Sequence, residues 1–341
     1  MKVIVTGGSG FLGSRLATKL VVDGHDVTLW TRNAQRLPTF VPNSVSAMQL
    51  DINNSQSLDS LPSHLSHFDA IFHLAADVDY FGKEKLLRGI NVDGSTNVLK
   101  WACERGAKRF VFVSSIEAIG PGGIDGVPLD ENAASSPVCS YGRSKLAAEN
   151  ALAPVADRAG MPLSVLRLGN VYGPGSLWLI SSIHNALRGH GSFLNYLGLI
   201  GHALLNPLFV TDAVSGIEAA GLCERSAGTY ILAGSESVRL DALARIVAEF
   251  VGAELPRSIR TKPWLRMQCA LRCGYHRLIH RASLVDYFFA GGRQRPHRSY
   301  SSRKAASQFG FEPMTPLQTG IQNTLNWLST QSRDVSTDLA R

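Results

Sequence analysis

A chain of 341 residues exceeds what one hydrophobic core usually organises, so a large domain joined to a smaller one is expected. Its 45% hydrophobic content, without internal repeats or low-complexity blocks, excludes fibrous, solenoid and disordered classes. The net charge of +7 is unevenly spread, and the five cysteines (Cys103, Cys139, Cys223, Cys269 and Cys273) show no paired spacing, which excludes a disulfide scaffold and points to free thiols in a reducing compartment.

Lys2 to Thr6 is a short apolar run without polar alternation, as a parallel strand buried on both faces requires. Because a strand opens at residue 2, no room remains for a cleavable signal segment, and a cytoplasmic location is expected. From Phe11 the apolar period turns helical through Leu12, Leu16 and Leu20. The glycines between strand and helix allow a tight turn, close approach of backbone to a pyrophosphate, and a helix seated hard on the sheet. The helix N-terminus adds free N–H groups and a positive dipole end. Gly7, Gly10 and Gly13 fit one spacing of this fingerprint, and Gly8, Gly10 and Gly13 fit the other.

The second strand, His25 to Trp30, should end near an adenine ribose. There a carboxylate would accept from a free 2′-hydroxyl, whereas an arginine would pair with a 2′-phosphate. The chain offers Thr31 and Arg32 and no acid, so NADP is favoured over NAD. Arg109 to Ser115 reads as a third buried strand that delivers two hydroxyls at its C-terminal end, the end where open parallel sheets bind ligands. Ser115 is favoured over Ser114 to hold a substrate oxygen, with a one-residue ambiguity. After the loop Ser135 to Ser140, good helix formers run from Tyr141 to Asn150, which sets Tyr141 and Lys145 one above the other at i and i+4. A phenol titrates near ~10 in water, and a neighbouring ammonium should lower that value and fit it for proton transfer.

The glycine string, Asp51-Ile52, His73 to Ala76, Asn91 to Ser95, Val113 to Ser115, Tyr141 with Lys145, and Arg167 to Pro174 occur in the order and spacing of the extended short-chain dehydrogenase/reductases, which the chain resembles over residues 1 to about 235. The wording Ser114 to Pro121 is most similar to the branch of 3β-hydroxysteroid dehydrogenases and dihydroflavonol reductases. The resemblance implies an α/β fold, a Rossmann-type doubly wound parallel sheet with a smaller C-terminal substrate domain. Residues 1–170 would form the dinucleotide-binding domain, with 207–235 returning to it; 171–206 and 236–328 would form the substrate domain and 329–341 a tail. Ser115, Tyr141 and Lys145 would be the catalytic group, with Tyr141 and Lys145 also on the cofactor. Gly7, Gly10, Phe11, Leu12, Gly13 and Arg32 would bind that cofactor, Asp51 and Ile52 its adenine, Leu74, Ala75 and Ala76 the adenine ribose, and Val171 the nicotinamide.

Within the family, sugar-nucleotide epimerases usually place an arginine seven residues before the aspartate matching Asp212, where it clamps a diphosphate; this chain has Leu205. The mostly apolar run from Ser192 to Phe209 is expected to form a pocket wall suited to an oily substrate. Against this, Asn170 matches an asparagine that some epimerases use on their diphosphate. The reaction implied is hydride transfer between NADP, or NAD, and a ketone or secondary alcohol of a hydrophobic, steroid-, flavonoid- or polyketide-like molecule. The alternatives are a sugar-nucleotide epimerase or dehydratase with transient redox, and a non-catalytic NADP-binding sensor. Asp79 and Tyr80 follow a strand end within reach of a substrate, although a loop position explains them equally well.

Cys269, Cys273, His276 and His280 would spread over roughly 16 Å of one helix, too far to converge on a zinc ion; no metal is expected. From Arg257 to Lys304 stand twelve lysines and arginines against one acid, Asp286. Three readings of that segment compete: a solvated face, a docking surface for an acidic carrier or a phosphorylated substrate tail, and a peripheral contact with anionic lipid. No nucleic-acid motif accompanies the charge, and the run to Phe209 is too interrupted to span a membrane. A homodimer is compatible with the sequence, which does not set the oligomeric state.

Overall fold

The structure, a computed structural model, describes residues 1–62, 65–122, 127–190, 200–255 and 297–338, together with Leu197, Met267, Ala270, Leu271, Gly274, Tyr275 and Phe288. The apolar runs become strands β1 (Lys2–Thr6), β2 (Asp26–Thr31), β3 (Ser46–Gln49), β4 (Ala70–His73), β5 (Phe110–Ser115) and β6 (Leu163–Leu168). The two-residue strands β7 (Val171–Tyr172), β8 (Leu204–Leu205) and β9 (Leu208–Phe209) follow, then β10 (Gly228–Leu232) and β11 (Val238–Arg239). Seven of these form one parallel sheet in the order β10-β6-β5-β4-β1-β2-β3. The chain starts at β1 and winds outward in both directions, so the order reverses between β1 and β4. A crevice opens at that point, outside the carboxyl ends of the strands.

Both faces of the sheet are covered, which is why Val3, Ile4, Val5, Ile71, Phe72, Val111 and Phe112 are fully buried without polar alternation. One face packs on helix α1 (Phe11–Val22) and on the helix Val210–Leu222, through Leu16, Leu20, Ala213 and Ile217. The other packs on the helices Ser95–Glu104 and Ser140–Ala159, where Trp30 meets Trp101 edge to face at 4.8 Å. The long helix begins where Cys139 Sγ accepts from the Gly142 N–H, and it ends at Gly160 in the left-handed conformation that glycine adopts at no steric cost.

A third apolar cluster joins Tyr172, Leu179, Ile180 and Ile183 to Leu240, Leu243, Val247, Ile321 and Leu325, beyond the C-terminal end of the sheet. The expected apolar pocket wall is corrected here. Ile200, Ala203, Leu205, Leu208 and Phe209 are buried in the hydrophobic core, and none of them lines the main cavity. The strand pairs β7 with β9 and β8 with β11 turn these side chains inward. The remainder of that run, 191–196 with 198–199, lies outside the described residues, as do Cys269, Cys273, His276, His280 and most of the basic segment. Arg298, counted within that segment, is not on a solvated face: it is 2% exposed and approaches Glu117 at 3.4 Å.

Candidate active site

A cavity of about 840 Å³ runs along the crevice. Its wall includes Gly7, Gly10, Phe11, Leu12, Gly13, Arg32, Asp51, Ile52, Leu74, Ala75, Ala76, Ser115, Tyr141, Lys145 and Val171, so the residues expected for catalysis and cofactor binding border one space. Of the two glycine spacings, the one beginning at Gly7 faces the cavity, whereas Gly8 is packed under the Leu29 side chain. Gly7 has φ +70°, and a Cβ there would stand 2.8 Å from the Ala75 nitrogen. A Cβ on Gly13 would lie 2.3 Å from the Gly7 carbonyl oxygen. The turn is therefore closed to any side chain, and the N-terminus of α1 stays open toward the cavity.

Strand register sets what surrounds this turn, because Thr6 pairs with His73 of β4. The Thr6 hydroxyl accepts from the Leu74 and Ala75 N–H groups, each at 3.1 Å, and lies 2.9 Å from His73 Nδ1. With both lone pairs used, it has only its proton to give, so Nδ1 accepts and Nε2 carries the hydrogen. That hydrogen goes to Ser95 Oγ at 2.9 Å, and Ser95 donates to the Asn91 carbonyl. The chain of bonds fixes the 74–76 segment on the cavity wall.

Complete burial, with the Lys145 charge as a lesser cause, pushes His73 down to about 3. The folded state thus excludes a proton that the unfolded chain takes up below ~6.5, so stability is lost as pH falls through the range from 6.5 toward 3. The slope grows from about 0.7 kcal/mol per pH unit at pH 6.5 to about 1.4 between pH 5.5 and 4. Urea unfolding as a function of pH should show the slope, and His73→Gln should flatten it.

At the other end of the reactive region the two serines of β5 part company. Ser114 donates to Glu149 Oε1 in the interior. Ser115 accepts from the Glu117 N–H at 3.2 Å and shares the cavity wall with Tyr141. Lys145 Nζ donates to the Val113 carbonyl at 2.9 Å and sits 4.7 Å from the Phe112 ring centre. The expectation that this ammonium lowers the phenol is corrected by the geometry. Nζ lies 6.0 Å from the centre of the Tyr141 ring, and burial, with the neighbouring Cys139 and Glu117 as lesser causes, pushes Tyr141 well above the usual phenol range. Burial likewise pulls Lys145 down to about 8, opposed by Glu149.

The sequence singled out Asn91 and Tyr80 without showing their partners, and it gave no sign of Glu117. Asn91, in a wide helical turn over Gly89–Gly94, accepts from the Asp77 N–H and donates to the Asp77 carbonyl and to Ser144 Oγ. Ser144 in turn donates to the Tyr141 carbonyl, so one buried amide ties the β4 exit to the helix that carries the phenol. Glu117, 1% exposed, pairs with Arg298 beside the site. Tyr80 stacks on Trp178 at 5.3 Å. Asn170 also lines the cavity, whereas Leu205, where a diphosphate clamp would stand, is fully buried in β8.

Residues 3–222 match the NAD dependent epimerase/dehydratase family. The chain belongs to that family and is an enzyme of the extended short-chain dehydrogenase/reductase kind. A 3 beta-hydroxysteroid dehydrogenase/Delta 5-->4-isomerase of Mycobacterium tuberculosis is 26% identical over 350 residues, which cover 95% of this chain and 89% of that one. A 2-alkyl-3-oxoalkanoate reductase of Stenotrophomonas maltophilia is 26% identical, covering 94% of this chain and 98% of its own length. The UDP-glucose 4-epimerase of Thermotoga maritima, solved with UDP-glucose, superposes with a TM-score of 0.75 at 21% identity over 97% of this chain and 99% of that one; it shares the fold. Among the described residues no helix is long and apolar enough to cross a membrane.

Proposed function

We propose that the enzyme transfers a hydride between NADP and a ketone or secondary alcohol of a hydrophobic small molecule. The observation that carries this reading is that Ser115 and Tyr141 open on the same cavity as the glycine turn. The nicotinamide cofactor, when bound, supplies the hydride, and the side-chain-free turn at Gly7 and Gly13 fits its pyrophosphate. In the reducing direction Ser115 holds the carbonyl oxygen and Tyr141 gives it a proton as the hydride reaches the carbon. The carbonyl would become an alcohol, and the Tyr141 phenolate left behind would regain its proton from solvent. Lys145 Nζ, 6.0 Å from the Tyr141 ring centre, adds positive charge to the reactive region. Leu205 in place of a clamp arginine supports an uncharged substrate, since a buried diphosphate needs cations.

Residues 1–170 with 207–235 would serve the cofactor, and 171–206 with 236–328 the substrate. Support comes from β10, which extends the main sheet beside β6, and from the separate apolar cluster around Tyr172 and Leu240. Steady consumption of reduced nicotinamide with hydrophobic ketones tests the reaction. Asn170 favours a second reading, an epimerase with transient redox, under which UDP-sugars would interconvert without net change in absorbance.

NADP is favoured by exposed Arg32 beside Ser9, whose hydroxyl accepts from Thr31 at 2.9 Å. Removing one charge-assisted contact in Arg32→Ala should weaken NADP by roughly tenfold to a hundredfold and leave NAD nearly unchanged. Fluorescence titration with both nucleotides checks this, and equal losses would remove the phosphate role.

A further inference from the structure

Resting on the reading of hydride transfer at Ser115 and Tyr141, we propose that Tyr80 and Trp178 form an aromatic wall that selects a flat, uncharged ring system as the body of the substrate. The rings make a continuous series outward from the reactive hydroxyls. Tyr141 and Tyr80 lie 5.5 Å apart between centres at 53°, and Tyr80 and Trp178 lie 5.3 Å apart at 12°. All three line the cavity that holds Ser115. A fused-ring ketone whose oxygen sits at Ser115 and Tyr141 could lie along this series, whereas a flexible chain presents no flat face to it.

The chain conformation around Trp178 is unusual and strongly determined. Leu179, fully buried in the third apolar cluster, has φ +48° and ψ −91°, a region that a branched side chain avoids. Just before it, the Trp178 N–H donates to Ser176 Oγ, and Ser181 Oγ donates to the Ser176 carbonyl. Strain of this kind persists only where the surroundings over-determine it, and it collects where a side chain must be aimed. Here it carries the Leu179 side chain into the third apolar cluster, and Trp178, the residue before it, packs against that cluster while lining the cavity.

Charge points the same way. Among the described residues the cations on the cavity wall are Arg32, at the end of β2, and Lys145, whose ammonium is bonded to the Val113 carbonyl. Near Tyr80 and Trp178 the wall carries the carboxyl groups of Asp77 and Asp79, while Glu117 is paired with Arg298 and Lys145 lies on the far side of Tyr80, by Tyr141. A phosphate placed there would meet like charge, so the wall favours an uncharged body.

The test uses the full chain saturated with NADP and measures binding by calorimetry. The probes are 1-tetralone, a flat fused-ring ketone; 2-decanone, an open-chain ketone with the same number of carbons; and UDP-glucose. Wild type should bind 1-tetralone more tightly than 2-decanone and show no saturable binding of UDP-glucose. Trp178→Leu, which keeps apolar bulk but removes the flat face, should weaken 1-tetralone about tenfold while changing 2-decanone less than about twofold; Trp178→Phe should restore most of the loss. Tyr80→Leu should repeat the pattern and carries the comparison should Trp178→Leu fail to bind NADP. Equal losses for the two ketones, no loss for 1-tetralone, or tighter binding of UDP-glucose would overturn the wall. Turnover is scored separately. Trp178-dependent binding of 1-tetralone without consumption of reduced nicotinamide keeps the wall and sinks the hydride-transfer reading. Consumption with binding indifferent to Trp178 does the reverse.

Discussion

Tyr141→Phe is expected to lower kcat for ketone reduction by roughly 10²–10⁴-fold, the usual contribution of a positioned general acid, while NADP affinity stays where it was. The change removes one hydroxyl and nothing else. The ring keeps its contacts with Tyr80 and with the small cluster of Phe81 and Cys139, so the helix start at Ser140 is not disturbed. Ser115 faces the same cavity, where water can take the place of the missing hydroxyl. The raised pKa of the phenol strengthens the case for reduction at neutral pH. A group held well above its ordinary range by burial stays protonated and can donate, whereas the oxidative direction asks the same oxygen to take a proton and should need more alkaline conditions. Single-turnover traces in both directions separate the chemical step from cofactor binding. Unchanged rates would remove Tyr141 from proton transfer.

The parts of the site visible in the sequence were those where one local rule dominates. A run such as Lys2 to Thr6 announces a doubly buried strand by its lack of alternation, and the glycines after it announce a turn that tolerates no Cβ. The pair Tyr141 and Lys145 follows from helical spacing alone. What escaped depends on register and on contacts distant in the chain. Both Ser114 and Ser115 border the cavity, and which hydroxyl is taken up by Glu149 depends on how the helix Ser140–Ala159 packs on β5. The stack of Tyr80 on Trp178 joins two loops almost 100 residues apart in the sequence. The apolar stretch ending at Phe209 misled for a related reason: hydrophobicity says that a segment is buried, not whether it faces a core or a cavity. The direction of the Tyr141 shift was misjudged because helical spacing sets proximity, while burial sets the larger electrostatic effect.

Glu149→Ala should be the most damaging single change away from the cavity wall, costing about 3–5 kcal/mol of stability. Glu149 is 7% exposed and receives three side chains' worth of demand. Arg167 donates to it through Nε and Nη2, the latter at 2.6 Å, Ser114 donates to Oε1, and its charge supports the ammonium of Lys145 one helical turn away. Its loss leaves a buried guanidinium without a counter-charge, and that uncompensated cation, rather than the missing attraction, accounts for most of the cost. Two consequences follow from the same argument. Adding Arg167→Met to Glu149→Leu should recover much of the stability, because the pair is replaced by apolar bulk instead of being broken. Glu149→Gln, which keeps hydrogen-bonding atoms but drops the charge, should move the alkaline limb of the activity profile downward. Lys145 already sits at about 8, so its ammonium is lost as pH rises through that value, and Glu149 is the charge that holds the value up. Urea unfolding of the single and double variants, with pH–rate profiles of wild type and Glu149→Gln, measures both effects. An alkaline limb that does not move would show that the ammonium of Lys145 is not what the reaction requires.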